Sequence, residues 1–222
     1  MRNVIFDLDG TLVDSVTGVQ HAMQTAWQAV YPTIPCPDVR NLMGPPVREM
    51  FRRLAPSADE SLLNRLETGF RQAYDSDGWQ MTTTYPGVIQ ALNDLQSAKV
   101  RCFGVTNKPC RPTQRILKRC GLADFFEAFL SIDSRQPPFA SKAEAVQTLA
   151  KQYQINLTAA VLVGDTVEDA RTARDCGVRF IAFQGGYGWD NLIAAGDTEL
   201  ILLHFGQLVS LVLETPSTRL KK

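Results

Sequence analysis

The sequence has no excess of charge of either sign, since 23 Lys and Arg residues balance 23 Asp and Glu residues. We therefore expect neither nucleic acid nor a membrane surface as a partner. No apolar run approaches the length of a membrane span, and the first predicted strand begins too early to leave room for a signal peptide. These absences predict a soluble, cytoplasmic protein.

Side chains that bind zinc are also scarce. The chain has only two histidines, and its five cysteines form no Cys-x-x-Cys pair. The cysteines are Cys36, Cys102, Cys110, Cys120 and Cys176. A zinc site is therefore not expected, and the cysteines are interpreted as reduced thiols in a reducing compartment.

The chain is organised around its first strand. The β-branched and aromatic run 4–6 predicts a buried strand, which is followed directly by Asp7, Asp9, Gly10 and Thr11 in an Asp-x-Asp-Gly-Thr pattern. In an open parallel sheet, the carboxyl ends of the strands border the ligand crevice. Asp7 and Asp9 are therefore predicted to lie where substrate binds, although many strand ends are simply polar turns.

A helical region follows, and then strands and helices alternate. The stretch 39–77 contains apolar residues at helical spacing and no convincing strand. Strands are predicted at 100–105, 129–132, 159–163 and 179–183, with helices at 16–30, 88–98 and 142–153, helices ending near 120 and 176, a glycine-rich turn at 185–188 and a strand and helix at 200–212. Residues 216–222 are predicted to be a frayed tail. This pattern predicts a doubly wound α/β fold with a parallel sheet.

More polar side chains stand where these predicted elements meet. Thr106, Asp165 and Asp169 follow strands, and Lys142 begins a helix, so all of them can converge on one crevice. Carboxylates gathered in this way need a cation, and oxygen ligands favour Mg²⁺. Taken singly, Thr106 also fits an ordinary turn and Lys142 a solvated helix start.

These four motifs, in this order, resemble those of the haloacid dehalogenase superfamily of hydrolases. The segment from Asp7 to Thr11 matches the first motif, Thr106 the second, Lys142 the third and Gly164 to Asp169 the fourth. The third motif departs from the Lys-Pro of many relatives. The helical insertion resembles the α-helical cap of the phosphoglycolate phosphatase-like branch. The resemblance implies a core domain of residues 1–14 and 85–222 and an inserted cap of residues 15–84.

The resemblance also implies a mechanism. A small phosphomonoester would be hydrolysed with Mg²⁺, Asp7 being the nucleophile that forms an aspartyl-phosphate and Asp9 the general acid and base. The metal ligands would be Asp7, Asp165, the backbone carbonyl of Asp9 and, directly or through water, Asp169. The phosphoryl group would be bound by Thr106, Asn107 and Lys142, and Thr11 is also assigned to the substrate site.

Several other classes of protein have motifs that resemble this pattern. Asp9 argues against a dehalogenase, and the absence of lysine from residues 15–84 argues against a phosphonatase, which needs a cap lysine. A pyrophosphatase, a 5′-nucleotidase and a phosphosugar mutase remain open. A receiver-type signalling module is a remote alternative, because its phosphorylated aspartate lies on a middle strand of a shorter domain.

The cap is expected to select the substrate. Gly44 opens a stiff Gly-Pro-Pro turn that is followed by Arg48, a cation suited to an anionic leaving group. An ordinary turn between helices explains the same residues equally well. We expect a small phosphorylated metabolite as the partner and a monomer or weak homodimer as the oligomeric state.

Overall fold

The structure is a computed structural model that describes residues 2–214. The chain divides into two compact units. One consists of the chain up to Val13 together with the chain from Thr84 onward, and the other is Asp14–Thr83. The tail predicted at 216–222 lies outside the described residues.

The strands and helices alternate through most of the first unit. In chain order, the strands are β1 (Asn3–Phe6), β2 (Val13–Asp14), β3 (Thr83–Thr84), β4 (Arg101–Thr106), β5 (Ala128–Ser131), β6 (Ala160–Gly164), β7 (Arg179–Phe183) and β8 (Ile201–Leu202). The helices are α1 (Val16–Gln28), α2 (Val47–Leu54), α3 (Glu60–Ser76), α4 (Val88–Ser97), α5 (Cys110–Arg119), α6 (Lys142–Tyr153), α7 (Val167–Cys176), α8 (Trp189–Ala195) and α9 (Leu208–Glu214). Short 3₁₀ turns lie at Arg40–Leu42, Gly78–Met81, Ala123–Phe125, Leu157–Ala159 and Phe205–Gln207.

The main sheet has six strands in the order β5-β4-β1-β6-β7-β8, and every pairing is parallel. The predicted α/β fold with a parallel sheet is therefore confirmed. Strand β1 lies at the centre, with Phe6 paired to Gly104 on one side and to Val163 on the other. The carboxyl ends of β1, β4 and β6 consequently lie side by side at one edge of the sheet.

The central strand is buried on both faces, which explains its apolar run from Val4 to Phe6. Ile5, Phe103 and Leu162 stand side by side on three neighbouring strands and pack in one cluster with Val146 and Leu149 of α6. Burying side chains of this size contributes about 1.5–3 kcal/mol each. This packing fixes both β1 and the helix that begins at Lys142.

The second unit contains α1, α2 and α3 and has a core of its own. Met23 and Trp27 of α1 belong to the same buried cluster as Phe51 of α2 and Leu66 of α3. The helical character expected for this stretch is thus found in the structure. None of the helices within residues 2–214 combines the length and the apolar character needed to cross a bilayer.

One helix was not predicted. The glycine-rich turn expected at 185–188 leads into α8 before the last strand, where the sequence suggested no helix. The helix is only seven residues long and contains Asp190 and Asn191, so its periodicity is too brief to stand out.

Candidate active site

Asp7 and Lys142 form a buried ion pair at the carboxyl edge of the sheet. Asp7 follows β1 directly, and its amide donates to the carbonyl of Val163 at 2.9 Å. Lys142 is the first residue of α6, a helix capped by Ser141, whose hydroxyl accepts the amide of Glu144 at 3.1 Å. The Lys142 ammonium donates to Asp7 Oδ1 at 2.6 Å.

The same ammonium also holds Asp169. Lys142 Nζ donates to Asp169 Oδ1 at 2.5 Å, and the Asp169 carboxylate is fully buried. The second oxygen of Asp169 accepts the amide of Thr166 at 3.1 Å and its hydroxyl at 2.6 Å, within the capping box of α7. Asp169 therefore anchors the start of α7 and orients Lys142 at the same time.

Asp165 is the third buried carboxylate, and two donors fix its orientation. The Thr11 hydroxyl donates to its Oδ1 at 2.9 Å, and the amide of Tyr187 donates to its Oδ2 at 2.9 Å. Both Thr11 and Asp165 are fully buried. The carboxylate is thus held by Thr11 from the loop after β1 and by Tyr187 from the loop after β7.

Two glycines make room for Asp165. Gly10 has a φ of +84°, and a Cβ built there would lie 2.3 Å from Asp165 Oδ2. A Cβ at Gly186 would lie 2.1 Å from Asp165 Cβ. Any side chain at either position would displace the carboxylate, and at Gly10 it would also strain the backbone.

Burial is the largest single influence on the pKa of Asp7, Asp165 and Lys142. It raises the pKa of Asp7 well above its ordinary value, while Lys142 lowers this pKa and Asp169 and Asp165 raise it further. Burial and the nearby Asp169 raise the pKa of Asp165 to about 7, against the two hydrogen bonds that it accepts. Burial lowers the pKa of Lys142, but attraction to Asp169 and Asp7 outweighs it and the net shift is upward.

The three carboxylates fit a divalent cation. Asp7, Asp165 and Asp169 each offer an oxygen, and these oxygens lie within 4.8 Å of one another. Lys142 supplies one positive charge against three potential negative charges, so the cluster retains a negative charge when ionised. Oxygen donors of this kind suit a hard ion such as Mg²⁺. Asp165 and Asp169 each already accept hydrogen bonds on both of their oxygens.

Asp9, the second carboxylate of the motif, has a different partner. Its side chain is 21% exposed, and its Oδ1 accepts from the ammonium of Lys108 at 3.0 Å. Sequence reasoning gave Lys108 no role. Its position two residues after Thr106 on the same strand end was the available signal, but nothing local in the sequence indicates its partner.

Thr106 is the last residue of β4, and Asn107 begins the loop that follows this strand. The Thr106 hydroxyl accepts the amide of Lys108 at 3.1 Å, and the Asn107 side chain donates to Glu168 Oε1 at 2.8 Å. This second bond ties the loop after β4 to the start of α7. Sequence reasoning also missed the amide of Tyr187, because a backbone donor leaves no trace in the sequence.

The two remaining predicted site residues belong to the helical unit. Gly44 is exposed and precedes α2, and Arg48 lies on α2. Arg48 donates to Asn64 and Glu67, both at 2.8 Å, and to Glu60 at 2.5 Å. These bonds hold α2 against α3, and a contact of Arg48 or Gly44 with substrate stays a prediction.

A family model described as haloacid dehalogenase-like hydrolase matches residues 4–183, a range that includes every carboxylate of the site. The chain belongs to this family. The membership expected from the four motifs is thus confirmed.

Relatives with assigned activities differ in what they do. A phosphoglycolate phosphatase from Vibrio vulnificus is 29% identical over 221 residues, covering 96% of this chain and 96% of that protein. A tyrosine-protein kinase, PtkA, from Mycobacterium tuberculosis is 30% identical over 201 residues, covering 89% of this chain and 67% of that protein. The named activities belong to those proteins.

Solved structures agree on the fold. A haloacid dehalogenase-like family hydrolase from Streptococcus pneumoniae superposes with a TM-score of 0.83 at 24% identity, covering 94% of this chain and 97% of that one. At this level of identity, the likeness extends to the fold alone.

Proposed function

We propose that this protein is a Mg²⁺-dependent phosphatase that hydrolyses a small phosphomonoester through an aspartyl-phosphate on Asp7. The observation that carries the proposal is the pairing of Asp7 with Lys142 inside a cluster of buried carboxylates, with Asp9 two residues further along the same loop. A carboxylate that is fixed in place and next to a cation is suited to attack phosphorus in line.

Asp7 carries out the first step. Lys142 holds its Oδ1, and the other oxygen forms the bond to phosphorus as the bond to the leaving oxygen breaks. Asp9 gives its proton to that leaving oxygen. In the second step, Asp9 takes a proton from water, which attacks phosphorus, releases inorganic phosphate and regenerates Asp7.

Charge on the transferring group is neutralised from several directions. Because the Thr106 hydroxyl accepts the amide of Lys108, its own proton can be donated to a phosphoryl oxygen. The backbone amide of Asn107 and the ammonium of Lys142 add to this stabilisation. Mg²⁺ held by Asp7, Asp165 and the Asp9 carbonyl, with Asp169 beside them, would supply further positive charge to the phosphoryl oxygens.

We propose 2-phosphoglycolate as the first substrate to test. The relative from Vibrio vulnificus that is named a phosphoglycolate phosphatase covers nearly the whole length of this chain, which supports the choice. The phosphoryl chemistry is common to all candidate substrates, so the four motifs do not distinguish among them.

The test is a panel of phosphorylated compounds incubated with Mg²⁺, measured by release of inorganic phosphate. The panel contains 2-phosphoglycolate, pyrophosphate, a nucleoside 5′-monophosphate and glucose 1-phosphate. We expect release to be fastest from 2-phosphoglycolate, to stop with EDTA and to resume with excess Mg²⁺. Conversion of glucose 1-phosphate to its isomer without net phosphate release would instead indicate a mutase.

A second measurement tests the covalent step. Acid quenching during turnover, followed by digestion and mass spectrometry, should reveal one phosphoryl group on Asp7. The Asp7→Asn variant should carry no label and lose turnover by more than about a thousandfold. Turnover by Asp7→Asn at a substantial fraction of the wild-type rate would overturn the covalent mechanism.

A further inference from the structure

Lys108 is an almost buried lysine with a specific partner. Its side chain is only 9% exposed, and its ammonium lies 3.0 Å from Asp9 Oδ1. Lys142, by contrast, serves Asp7 and Asp169. The two carboxylates of the Asp-x-Asp motif are therefore each held by a different lysine, and the two lysines come from different elements of the sheet edge.

The backbones on both sides of the Lys108–Asp9 pair are fixed. The amide of Lys108 donates to the Thr106 hydroxyl at 3.1 Å, and its carbonyl accepts from the hydroxyl of Thr113 at 3.4 Å. Asp9 forms a bridge with Val13, and the adjacent amide of Gly10 donates to the carbonyl of Val13 at 2.9 Å. The pair thus joins two anchored loops that are 99 residues apart in sequence.

We propose that Lys108 is a positioning residue that holds Asp9 Oδ1 and thereby presents Asp9 Oδ2 to the leaving oxygen, an inference that rests on the proposed phosphatase function. The terminal torsion of an aspartate has broad minima, so an unsupported carboxylate samples many orientations. A single charge-assisted bond from an anchored lysine selects one of them.

The ammonium also favours one oxygen of Asp9 for the proton transfer. An ammonium has three donors and no acceptor, so the oxygen that it contacts acts as an acceptor. Because Oδ1 is engaged in this way, Oδ2 is the oxygen through which Asp9 would deliver its proton. The proton passes from Oδ2 to the leaving oxygen as the bond from phosphorus to that oxygen breaks and the bond from phosphorus to Asp7 forms.

Two substrates with different leaving groups distinguish a role of Lys108 in positioning the general acid from a role in binding phosphate. p-Nitrophenolate leaves without protonation, whereas the alkoxide of glycerol 2-phosphate needs a proton. The kcat/KM values of both substrates are measured for wild type, Lys108→Met and Lys108→Arg. Lys118→Met, which changes an exposed lysine on α5, is the matched control.

We expect Lys108→Met to lower kcat/KM on glycerol 2-phosphate by roughly tenfold to a hundredfold, the effect of misplacing a catalytic group by about an ångström. The value on p-nitrophenyl phosphate should change little. Lys108→Arg, which keeps a charged donor, should recover most of the loss, and Lys118→Met should match wild type on both substrates. If Lys108→Met does not fold, as judged by its thermal transition, Lys108→Gln replaces it in the same comparison.

A double-mutant cycle provides the second test. In an Asp9→Asn background, the further change Lys108→Met should cause little additional loss on glycerol 2-phosphate, because the group that Lys108 positions no longer carries the proton. Equal losses on both substrates, an unchanged kcat/KM in Lys108→Met, or fully additive losses in the cycle would each overturn the role of Lys108. Failure of the wild-type protein to release phosphate from either substrate would overturn the proposed function itself.

Discussion

The ammonium of Lys142 donates to Asp7 at 2.6 Å, although 135 residues separate the two in sequence. Lys142 is 4% exposed and Asp7 6%, so neither charge is compensated by water. Removing one member of a buried pair leaves the other charge without compensation, which is more destabilising than loss of a surface pair.

Lys142→Met should therefore lower both stability and activity. We expect a loss of about 3–5 kcal/mol in the free energy of unfolding near neutral pH, because Asp7 and Asp169 lose their shared cation. The kcat should fall by roughly a hundredfold to a thousandfold. Urea denaturation and steady-state kinetics measure the two effects, and Lys151→Met at an exposed position of α6 is the control. A Lys142→Met variant as stable as this control would contradict the energetic role of the pair.

Asp165→Asn should change how stability depends on pH. The pKa of Asp165 is about 7 in the folded protein and 3.8 for the unperturbed group. The protonated carboxyl therefore favours folding; this contribution is complete below the unfolded value and is lost as pH rises toward the folded value. An asparagine does not ionise, so the metal-free variant should gain stability relative to wild type between about pH 4 and pH 7.

The check is urea denaturation in EDTA at several pH values across that range. Repeating it with Mg²⁺ should reverse the order, because the ion stabilises the ionised carboxylate of the wild type and binds the variant poorly. A difference between the two proteins that stays constant with pH in EDTA would show that Asp165 does not titrate in this range.

Thr11→Val should weaken metal binding without removing a ligand. The Thr11 hydroxyl donates to Asp165 Oδ1, and valine has nearly the same shape but no donor. Loss of a group that orients a ligand typically lowers metal affinity by about tenfold to a hundredfold. Calorimetric titration with Mg²⁺ measures this change, and Thr11→Ser, which keeps the hydroxyl, should bind nearly as well as wild type. Equal affinities for Thr11→Val and wild type would show that the Thr11 hydroxyl does not contribute to metal binding.

Arg48→Ala tests the predicted contact with the leaving group. If Arg48 contacts the carboxylate of 2-phosphoglycolate, kcat/KM for that substrate should fall by roughly tenfold to a few hundredfold, while p-nitrophenyl phosphate should be little affected. Arg52→Ala is the control, since Arg52 also pairs with Glu60, at 3.0 Å. Equal losses on both substrates, or equal effects of the two variants, would show that Arg48 acts only through its bonds with α3.

The parts of the fold that could be predicted are those that depend on local patterns. The strand before Asp7 is apolar from Val4 to Phe6 because both of its faces are covered, and the helix at Lys142 begins after a serine that caps it. The parallel sheet follows from the alternation of such elements. The order of its strands was not predicted, since β1 pairs with strands that are distant in sequence, Asn3 lying opposite Arg101 of β4 and Ala160 of β6.

The candidate site likewise contains residues that the sequence predicts and others that it does not. Asp7 and Asp9 stand out because a complete Asp-x-Asp-Gly-Thr pattern directly follows an apolar run, and the rule for parallel sheets places the carboxylates at one edge. The partner of Lys108 and the backbone donor at Tyr187 could not be foreseen. One depends on the meeting of two loops, and the other on an amide that every residue except proline possesses.

The close approach of Gly10 and Gly186 to Asp165 has a consequence for natural and laboratory variation. Neither glycine offers a reactive atom, yet an alanine at either position would collide with a carboxylate that is proposed to hold the metal. In a library of random variants, these positions should therefore behave like active-site residues. A designer seeking a different metal preference would have to reshape the two loops themselves, because no larger side chain fits there.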